Sequence, residues 1–260
     1  MKKIFLIMLI TFFVTRLWAQ NDDVSSSTQG KGKVEDRNFR IPLIGESAPS
    51  FIAESTNGTI NFPDDFGEKW KILFSHPQDF TPVCSTEILQ LAKMQDEFDK
   101  LGIKLIVVST DELETHIEWK KSMEALKLNN KESVKIKFPL VDDDKRIIAK
   151  EYGMIHPASN TTRDVRGVFI IDPNNIIQAI YFYPSNIGRS TDELLRMVIA
   201  LKTAASGNFL MPVNWRAGND VLVSIPPKTD SEGKPIVPEG YYNPVWYLWF
   251  KKANSFKSEF

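Results

Sequence analysis

Apolar positions recur along the chain at two spacings, which predict strands and helices in alternation. Residues 71–76 (KILFSH) and 104–109 (KLIVVS) are short apolar runs typical of buried strands. Between them, the apolar residues from Ser85 to Lys100 recur at i, i+3 and i+4, which predicts an amphipathic helix that ends at Gly102.

The same pattern predicts three further helices and three further strands. The second helix starts at a cap, Thr110 or Asp111, and passes through Trp119 and Met123. A strand over 138–141, a helix over 145–152, a hairpin of strands 167–171 and 176–183, and a helix over 191–205 follow. This order predicts an α/β sandwich with a mixed sheet, whose first strands are parallel and joined by right-handed crossovers.

The chain starts with a pattern typical of a secretory signal peptide, predicted over residues 1–20. Lys2 and Lys3 precede a short apolar run, and Ala19 provides a small residue for cleavage. A retained membrane anchor is the alternative, but the run is shorter than the roughly 20 apolar residues that a span needs. The polar residues 21–40 predict a flexible linker. We therefore expect a secreted or periplasmic protein without a membrane span after cleavage.

The remaining chain divides at about residue 206. Residues 41–206 contain the strands and helices described above, and residues 207–260 are interrupted by prolines and end in an aromatic run, 241–250 (YYNPVWYLWF). This second part is too poor in apolar pattern to form its own core. We expect a small C-terminal module that packs on the main domain or on a partner subunit.

Composition narrows the classes of function. The 260 residues carry 32 basic and 33 acidic side chains, so the net charge of -1 provides no general attraction to nucleic acid. A single cysteine excludes a disulfide within the chain, a Cys-x-x-Cys redox pair and a cysteine-rich zinc site. The three histidines are far apart in sequence, so a zinc site has little support and no metal is expected.

The one thiol, Cys84, follows Thr81 and Pro82 at the start of the first predicted helix. Unsatisfied backbone N–H groups and the helix dipole at that position favour a thiolate. The Thr81 hydroxyl can hydrogen-bond in the same place, and Pro82 stiffens the loop. A buried, inert cysteine is the alternative, and spacing alone leaves both open.

Residues 74–87 (FSHPQDFTPVCSTE) resemble the peroxidatic motif of the peroxiredoxins, in the form of the 1-Cys, peroxiredoxin-6-type subfamily. The resemblance extends from about Ile41 to about Lys252. It includes residues 142–144 (DDD), 166–173 (RGVFIIDP), 183–196 (YPSNIGRSTDELLR) and 211–215 (MPVNW). It implies a thioredoxin-like fold with a mixed central sheet, peroxide reduction without a metal or organic cofactor, and a homodimer or a ring of dimers.

The resemblance also implies the roles of individual residues. Cys84 matches the peroxidatic nucleophile, Thr81 the residue that hydrogen-bonds the peroxide, and Pro82 the residue that shields the sulfur. Arg166 matches the arginine that holds the thiolate and polarises the O–O bond, which suits a side chain that stays charged and donates from a fixed fork.

Supporting residues are implied in the same way. Glu87 and Arg189 match polar residues that orient the site, although Arg189 could instead contact the start of the following helix. His76 matches a histidine beside the site and is as consistent with a structural role as with a functional one. We expect His116 and His156 in surface or loop positions.

The implied reaction is reduction of hydrogen peroxide and organic hydroperoxides. The thiolate attacks a peroxide oxygen and becomes a sulfenic acid. Because the chain has no second cysteine, an external thiol or thiol protein must reduce this sulfenic acid.

Two features depart from the resemblance, and two further points leave alternatives open. Lys69 and Pro63 stand where some relatives carry the serine and histidine of a phospholipase site, so we predict no serine-hydrolase activity. Gln78 replaces an arginine that is common in the peroxidatic motif. Residues 142–144 could bind a cation, but a solvated turn that caps the next helix is favoured.

The rival functions are a cysteine hydrolase with His76 or His156 as base, and a binding or chaperone-like oligomer with a vestigial thiol.

Overall fold

The computed structural model of the protein describes residues 39–127, 133–159, 161–224, 230–234 and 236–256. The predicted signal peptide over 1–20 and all of the predicted linker up to residue 38 lie outside the described residues. No helix in these described ranges combines the length and the apolar character that crossing a bilayer requires.

Ten strands and four α-helices make up the described structure. The strands are β1 (Phe51–Ala53), β2 (Ile60–Phe62), β3 (Trp70–Ser75), β4 (Ile103–Ser109), β5 (Leu140–Asp142), β6 (Arg166–Ile171), β7 (Ile177–Tyr183), β8 (Val221–Val223), β9 (Tyr241–Val245) and β10 (Leu248–Lys251). The helices are α1 (Pro82–Lys100), α2 (Leu113–Ala125), α3 (Ile147–Glu151) and α4 (Thr191–Gly207), with short 3-10 turns at Asp64–Phe66, Pro157–Ser159 and Ala253–Ser255.

The central sheet is mixed and has the strand order β5-β4-β3-β6-β7. β3, β4 and β5 are parallel to one another, while β6 pairs antiparallel with both β3 and β7. The predicted mixed sheet and the predicted β6–β7 hairpin are therefore confirmed. β3 lies at the centre, which brings the chain that follows it next to the start of β6.

Both faces of the sheet are covered, which explains why every residue of β3 is buried. Successive side chains of a strand point to opposite faces. Ile72 and Phe74 accordingly pack in one apolar cluster with side chains of α1, α2 and α4, such as Ile88 of α1. Leu73 packs in a second cluster on the other face, with side chains of α3 and of the β1–β2 pair, such as Phe62.

The structure contains two small sheets that the sequence pattern did not predict. β1 and β2 form an antiparallel pair ahead of β3, and the Phe51 and Phe62 rings stack with centroids 4.9 Å apart. In the C-terminal module, β8, β10 and β9 form a three-stranded sheet. Most of these strands have three to five residues, which is too short for an alternating pattern to stand out.

The C-terminal module packs on the main domain, which is one of the two predicted alternatives. Trp215 and Val221 are buried against Ala200 of α4, and partly buried apolar side chains complete this third cluster. The Trp215 indole N–H donates to the Asn219 carbonyl at 3.0 Å, so the polar edge of the ring is satisfied while its apolar body is buried.

Two predictions about helix starts need correction. α1 begins at Pro82 rather than Ser85, with Thr81 as its N-cap residue, because proline suits the first helical position. Neither Thr110 nor Asp111 caps α2: its N-cap residue is Glu112, and the Leu113 N–H donates to Asp142 Oδ2 at 3.1 Å. Asp111 has other partners, described below.

The acidic stretch 142–144 caps helices, as predicted, but it is not fully solvated. Asp143 is only 4% exposed, and its carboxylate accepts the backbone N–H groups of Ile148 and Ala149 at the start of α3. Burial raises the pKa of Asp143 to about 6, although these hydrogen bonds oppose the shift.

Candidate active site

Cys84 is the third residue of α1 and lies at the end of the loop that follows β3. Its side chain is almost completely buried, with 1% exposed. Phe80, just before the N-cap residue, has a φ of 54°, a left-handed conformation that is uncommon for a bulky residue. The loop and the start of α1 thus hold the thiol in the first helical turn, where backbone N–H groups lack partners within the helix.

Arg166 contacts this thiol directly. It is the first residue of β6, and the pairing of β6 with β3 brings it to Cys84. Its Nη1 lies 3.3 Å from Cys84 Sγ and also donates to Glu87 Oε2 at 2.7 Å. Its Nε and Nη2 donate to the Ser185 carbonyl at 3.0 and 2.6 Å. Three acceptors therefore hold the guanidinium in one orientation beside the sulfur.

Glu87 lies one helical turn after Cys84 and joins the two arginines. Its carboxylate accepts from Arg166 Nη1, from Arg189 Nε and Nη2, and from the Arg189 backbone N–H, all within 2.9 Å. Glu87 and both arginines are buried, so solvent does not screen these ion pairs. Two guanidinium groups and one carboxylate leave a net positive charge beside the sulfur.

Arg189 belongs to this cluster and does not cap the following helix. Its Nη1 donates to the carbonyls of Ser75 and Gly167, at 2.7 and 2.9 Å, and its guanidinium lies 3.4 Å from the Phe74 ring centroid. Ser190 is the residue that caps α4, through its side chain and the Glu193 N–H. Burial lowers the pKa of Arg189, although the hydrogen bond and the charge of Glu87 raise it.

Thr81 and Pro82 lie in the same turn as the sulfur. Thr81 is half-buried, and its hydroxyl donates to the Gln78 carbonyl at 2.8 Å, so the hydroxyl oxygen keeps a lone pair free. Pro82 is exposed at the first position of α1. Their contacts with a peroxide, and the shielding role of Pro82, stay predictions.

His76 is buried directly after β3, and neither of its ring nitrogens makes a hydrogen bond. Its Nε2 lies 3.4 Å from Asp79 Oδ1, which is close enough for an ion pair but does not form a hydrogen bond. Burial, followed by the nearby charges of His116, Arg189 and Arg166, holds the pKa of His76 well below its usual range. His76 is therefore neutral beside the cluster.

The expected surface position of His116 is wrong. His116 is fully buried in α2, where its Nδ1 lies 2.7 Å from Asp79 Oδ2 and its Nε2 lies 3.1 Å from the Val141 carbonyl. His156 is in a loop, as predicted, but it is half-buried between the rings of Phe39 and Phe182. The cysteine-hydrolase alternative needs a histidine hydrogen-bonded to Cys84, and in the described structure neither His76 nor His156 makes that bond.

Sequence reasoning missed three groups that organise the site. The Ser185 carbonyl, which holds Arg166, is a backbone atom and leaves no sequence signal. Asp79 and Asp111 anchor the loop before Cys84: the Asp79 N–H donates to Asp111 Oδ2 at 2.9 Å. The position of Asp79 inside the motif was a signal for its importance, but no pattern predicted its partners.

Comparisons with known proteins find a matching family model and similar sequences. A family model described as AhpC/TSA family matches residues 44–180. A peroxiredoxin of Methanosarcina mazei is 44% identical over 215 residues, covering 82% of this chain and 98% of that protein. Peroxiredoxin-6 of Bos taurus is 40% identical over 205 residues, covering 77% of this chain and 90% of that protein.

Solved structures are similar to this chain over the same extent. A yeast mitochondrial 1-Cys peroxiredoxin superposes with a TM-score of 0.68 at 36% identity, covering 82% of this chain and 100% of that chain. A mutant of the peroxiredoxin 6 of Arenicola marina superposes with a TM-score of 0.67 at 30% identity, covering 81% and 98%. The description of the yeast structure concerns its thiol resolving mechanism through glutathione and thioredoxin systems.

Proposed function

The chain belongs to the AhpC/TSA family and is a 1-Cys peroxiredoxin, a thiol-dependent peroxidase, and we propose that Cys84 is the residue whose sulfur attacks the peroxide. The proposal rests on one observation above all, the 3.3 Å contact of Arg166 Nη1 with Cys84 Sγ inside a buried cluster of two arginines and one glutamate. This cluster places positive charge and a fixed hydrogen-bond donor beside the sulfur, where a substrate oxygen would approach.

In the proposed reaction, the Cys84 thiolate attacks one oxygen of a hydroperoxide. A sulfur–oxygen bond forms and the O–O bond breaks; the sulfur is oxidised by two electrons as the peroxide is reduced, which gives a cysteine sulfenic acid. The departing oxygen leaves with the electron pair and takes up a proton, so it is released as water or an alcohol. In this proposal Arg166 stabilises the negative charge on that oxygen, and Thr81 Oγ1, whose hydrogen goes to the Gln78 carbonyl, accepts the hydroperoxide hydrogen with its lone pair.

The sulfenic acid then needs an external thiol, because Cys84 is the one cysteine of the chain. The first thiol condenses with the sulfenic acid to form a mixed disulfide and water, and a second thiol displaces Cys84 as a free thiolate. The described mechanism of the yeast protein through glutathione and thioredoxin systems supports a small thiol or a thioredoxin-type protein in this role.

Mass spectrometry with a sulfenic-acid trap tests the assignment. The intact protein is treated with one equivalent of hydrogen peroxide, and we expect the trapped adduct at Cys84 within the mixing time. The adduct should be strongly reduced in Arg166→Ala and absent in Cys84→Ser. A wild-type thiol that stays inert to peroxide contradicts the assignment. An acylated Cys84 supports the cysteine-hydrolase alternative, and full activity of Cys84→Ser supports the binding-oligomer alternative.

No serine-hydrolase activity is proposed for this chain. The exposed Lys69 and the buried Pro63 provide neither a nucleophilic hydroxyl nor an imidazole where the phospholipase pair of some relatives would stand. Phospholipase turnover that persists in Cys84→Ser would contradict this.

We also propose that the protein assembles as a homodimer or a ring of dimers. β7 is an edge strand of the central sheet, and its aromatic residues 181–183 are only half-buried within one chain. Trp246 and Tyr247 at the β9–β10 turn are 81% and 68% exposed, which favours a contact with a second chain. Analytical ultracentrifugation of the wild type and of Trp246→Ser tests this; a wild-type monomer at micromolar concentration contradicts it.

A secreted or periplasmic location is the proposal that follows from residues 1–20. Sequencing the N-terminus of the protein isolated from its natural host should find a mature chain starting close to Gln20. Isolation of a chain that still starts at Met1 contradicts cleavage.

A further inference from the structure

Asp79 and His116 form a buried pair that the proposed reaction does not use. Asp79 precedes Cys84 in the loop after β3, and His116 lies in α2. The two atoms that meet, Asp79 Oδ2 and His116 Nδ1, are 2.7 Å apart, and both side chains are almost completely buried. This pair connects α2 to the loop that carries the reactive turn.

The hydrogen-bond partners determine how many protons the pair holds. The Val141 carbonyl only accepts, so His116 Nε2 must carry a hydrogen and donate to it at 3.1 Å. Asp79 Oδ2 and His116 Nδ1 lie 2.7 Å apart, so one proton must lie between these two atoms, because two lone pairs at that distance would repel. The pair is either a carboxylate with an imidazolium or a carboxylic acid with a neutral imidazole.

The pair is one of several links that anchor this loop. The Asp79 N–H donates to Asp111 Oδ2, and Asp111 Oδ1 accepts from Arg163 Nη1 at 3.2 Å. Immediately after Asp79 the chain adopts the left-handed conformation at Phe80, which costs free energy and persists only where its surroundings hold it. The anchor on Asp79 therefore maintains a strained segment that leads directly into the turn with the thiol.

We propose that Asp79 and His116 are a positioning pair for the peroxidatic turn, and that the proton they share keeps Cys84 in contact with Arg166. The proposal rests on the proposed function and adds a residue, His116, that touches neither the sulfur nor its arginine. When the pair loses a proton, His116 keeps a single N–H, which can donate to Asp79 or to the Val141 carbonyl but not to both, so one of the two hydrogen bonds that hold the ring is lost.

The direction of the pH dependence follows from the surroundings of the pair. The charged or titratable groups around it are Asp111, Arg163 and the neutral His76. Burial lowers the pKa of His116, but the hydrogen bond and charge of Asp79 outweigh burial and raise it above the ordinary 6.5. Burial raises the pKa of Asp79, although His116 opposes this. The raised pKa of His116 favours the ring with hydrogen on both nitrogens, which satisfies both Asp79 and the Val141 carbonyl, and this form is lost as pH rises through that pKa.

Stopped-flow oxidation of Cys84 by hydrogen peroxide, from about pH 5.5 to about pH 9.5, tests the proposal. Trp119 is a natural reporter, since its indole N–H donates to Ser85 Oγ in the reactive turn. The wild-type rate constant should fall at alkaline pH. Asp79→Asn keeps a neutral hydrogen bond to His116 but has no shared proton, so its rate constant should not fall at alkaline pH. His116→Gln should react at least about tenfold more slowly at pH 7.

Asp143→Asn is the matched control, because Asp143 is an equally buried carboxylate that caps α3 and has no described contact with the loop. It should keep the wild-type pH profile even if it lowers stability. Wild-type profiles in both pair variants, or a change that Asp143→Asn reproduces, would overturn the proposal. If His116→Gln does not fold, the profile of Asp79→Asn decides. If peroxide does not oxidise the wild type, the proposed function fails instead, and the rate of Cys84 alkylation by iodoacetamide over the same pH range decides the role of the pair.

Discussion

Replacement of Glu87 by glutamine removes the negative charge between two buried guanidinium groups. The Glu87 carboxylate accepts four hydrogen bonds, from Arg166 Nη1 and from three N–H groups of Arg189. The side chains of all three residues are at most 2% exposed. In Glu87→Gln the amide nitrogen is a donor, so it faces arginine N–H groups that also donate, and two cations are left without a counter-charge within the cluster.

The expected cost follows from this burial. Breaking a buried ion pair by neutralising one partner costs about 3 to 5 kcal/mol, because the remaining charge is uncompensated. Glutamine keeps one oxygen as an acceptor, so we expect a value near the lower end, about 3 kcal/mol. For a domain of this size, that lowers Tm by about 6 to 12 °C.

The chain offers a matched control for this substitution. Glu193 accepts two hydrogen bonds from Arg196, at 2.6 and 2.7 Å, but its side chain is 38% exposed. Glu193→Gln should therefore cost only about 0 to 1 kcal/mol. Urea unfolding monitored by tryptophan fluorescence measures both free energies. If Glu87→Gln costs no more than Glu193→Gln, the argument from buried charge is wrong.

Three further predictions concern the donor, a buried carboxylate and the C-terminal module. Arg166→Lys should slow oxidation of Cys84 by about 100-fold, because one ammonium nitrogen cannot reach all three acceptors of the guanidinium. A stopped-flow rate constant close to that of the wild type contradicts this. Burial raises the pKa of Asp143 from its ordinary 3.8 to about 6. The protonated carboxyl group therefore stabilises the folded protein fully below pH 3.8, and this contribution to the free energy of unfolding is lost as pH rises through about 6. Urea unfolding at several pH values should show this decline in the free energy of unfolding for the wild type and not for Asp143→Asn. The same pH dependence in both proteins contradicts the prediction. Trp215→Ala should cost about 3 to 5 kcal/mol and increase amide exchange in the module, whereas Val213→Ala, at an 88% exposed position, should leave both unchanged. Protection from exchange that survives Trp215→Ala would mean that other contacts hold the module.

Local pattern was sufficient for most elements of the main domain. β3, β4, α1 and α4 have long apolar repeats, and their observed bounds differ from the predicted ones by a few residues at most. The start of α1 was predicted three residues late, because Pro82 is compatible with a loop and equally with a first helical turn. The strands β1 and β2 escaped prediction since three residues carry too little pattern.

The assignment of the histidines shows where such reasoning stops. His116 was expected at a surface or loop position, yet it is buried, because its partners Asp79 and Val141 come from other elements. Nothing within α2 distinguishes a buried histidine with two distant partners from an exposed one. Burial of a polar side chain depends on whether partners exist, and those partners are brought together by the packing of several elements.

The single thiol, its place at a helix start and the motif around it can be read from the amino-acid sequence, and together they imply the need for an external reductant. Which groups surround the sulfur depends on the tertiary fold. Arg166 is 82 residues from Cys84 along the chain and meets it because β6 pairs with β3. Arg189 and the Ser185 carbonyl arrive through the turn after β7. Local propensity acts between near neighbours, whereas a cluster of charges from three separate segments depends on strand order, which the packing of the whole core selects.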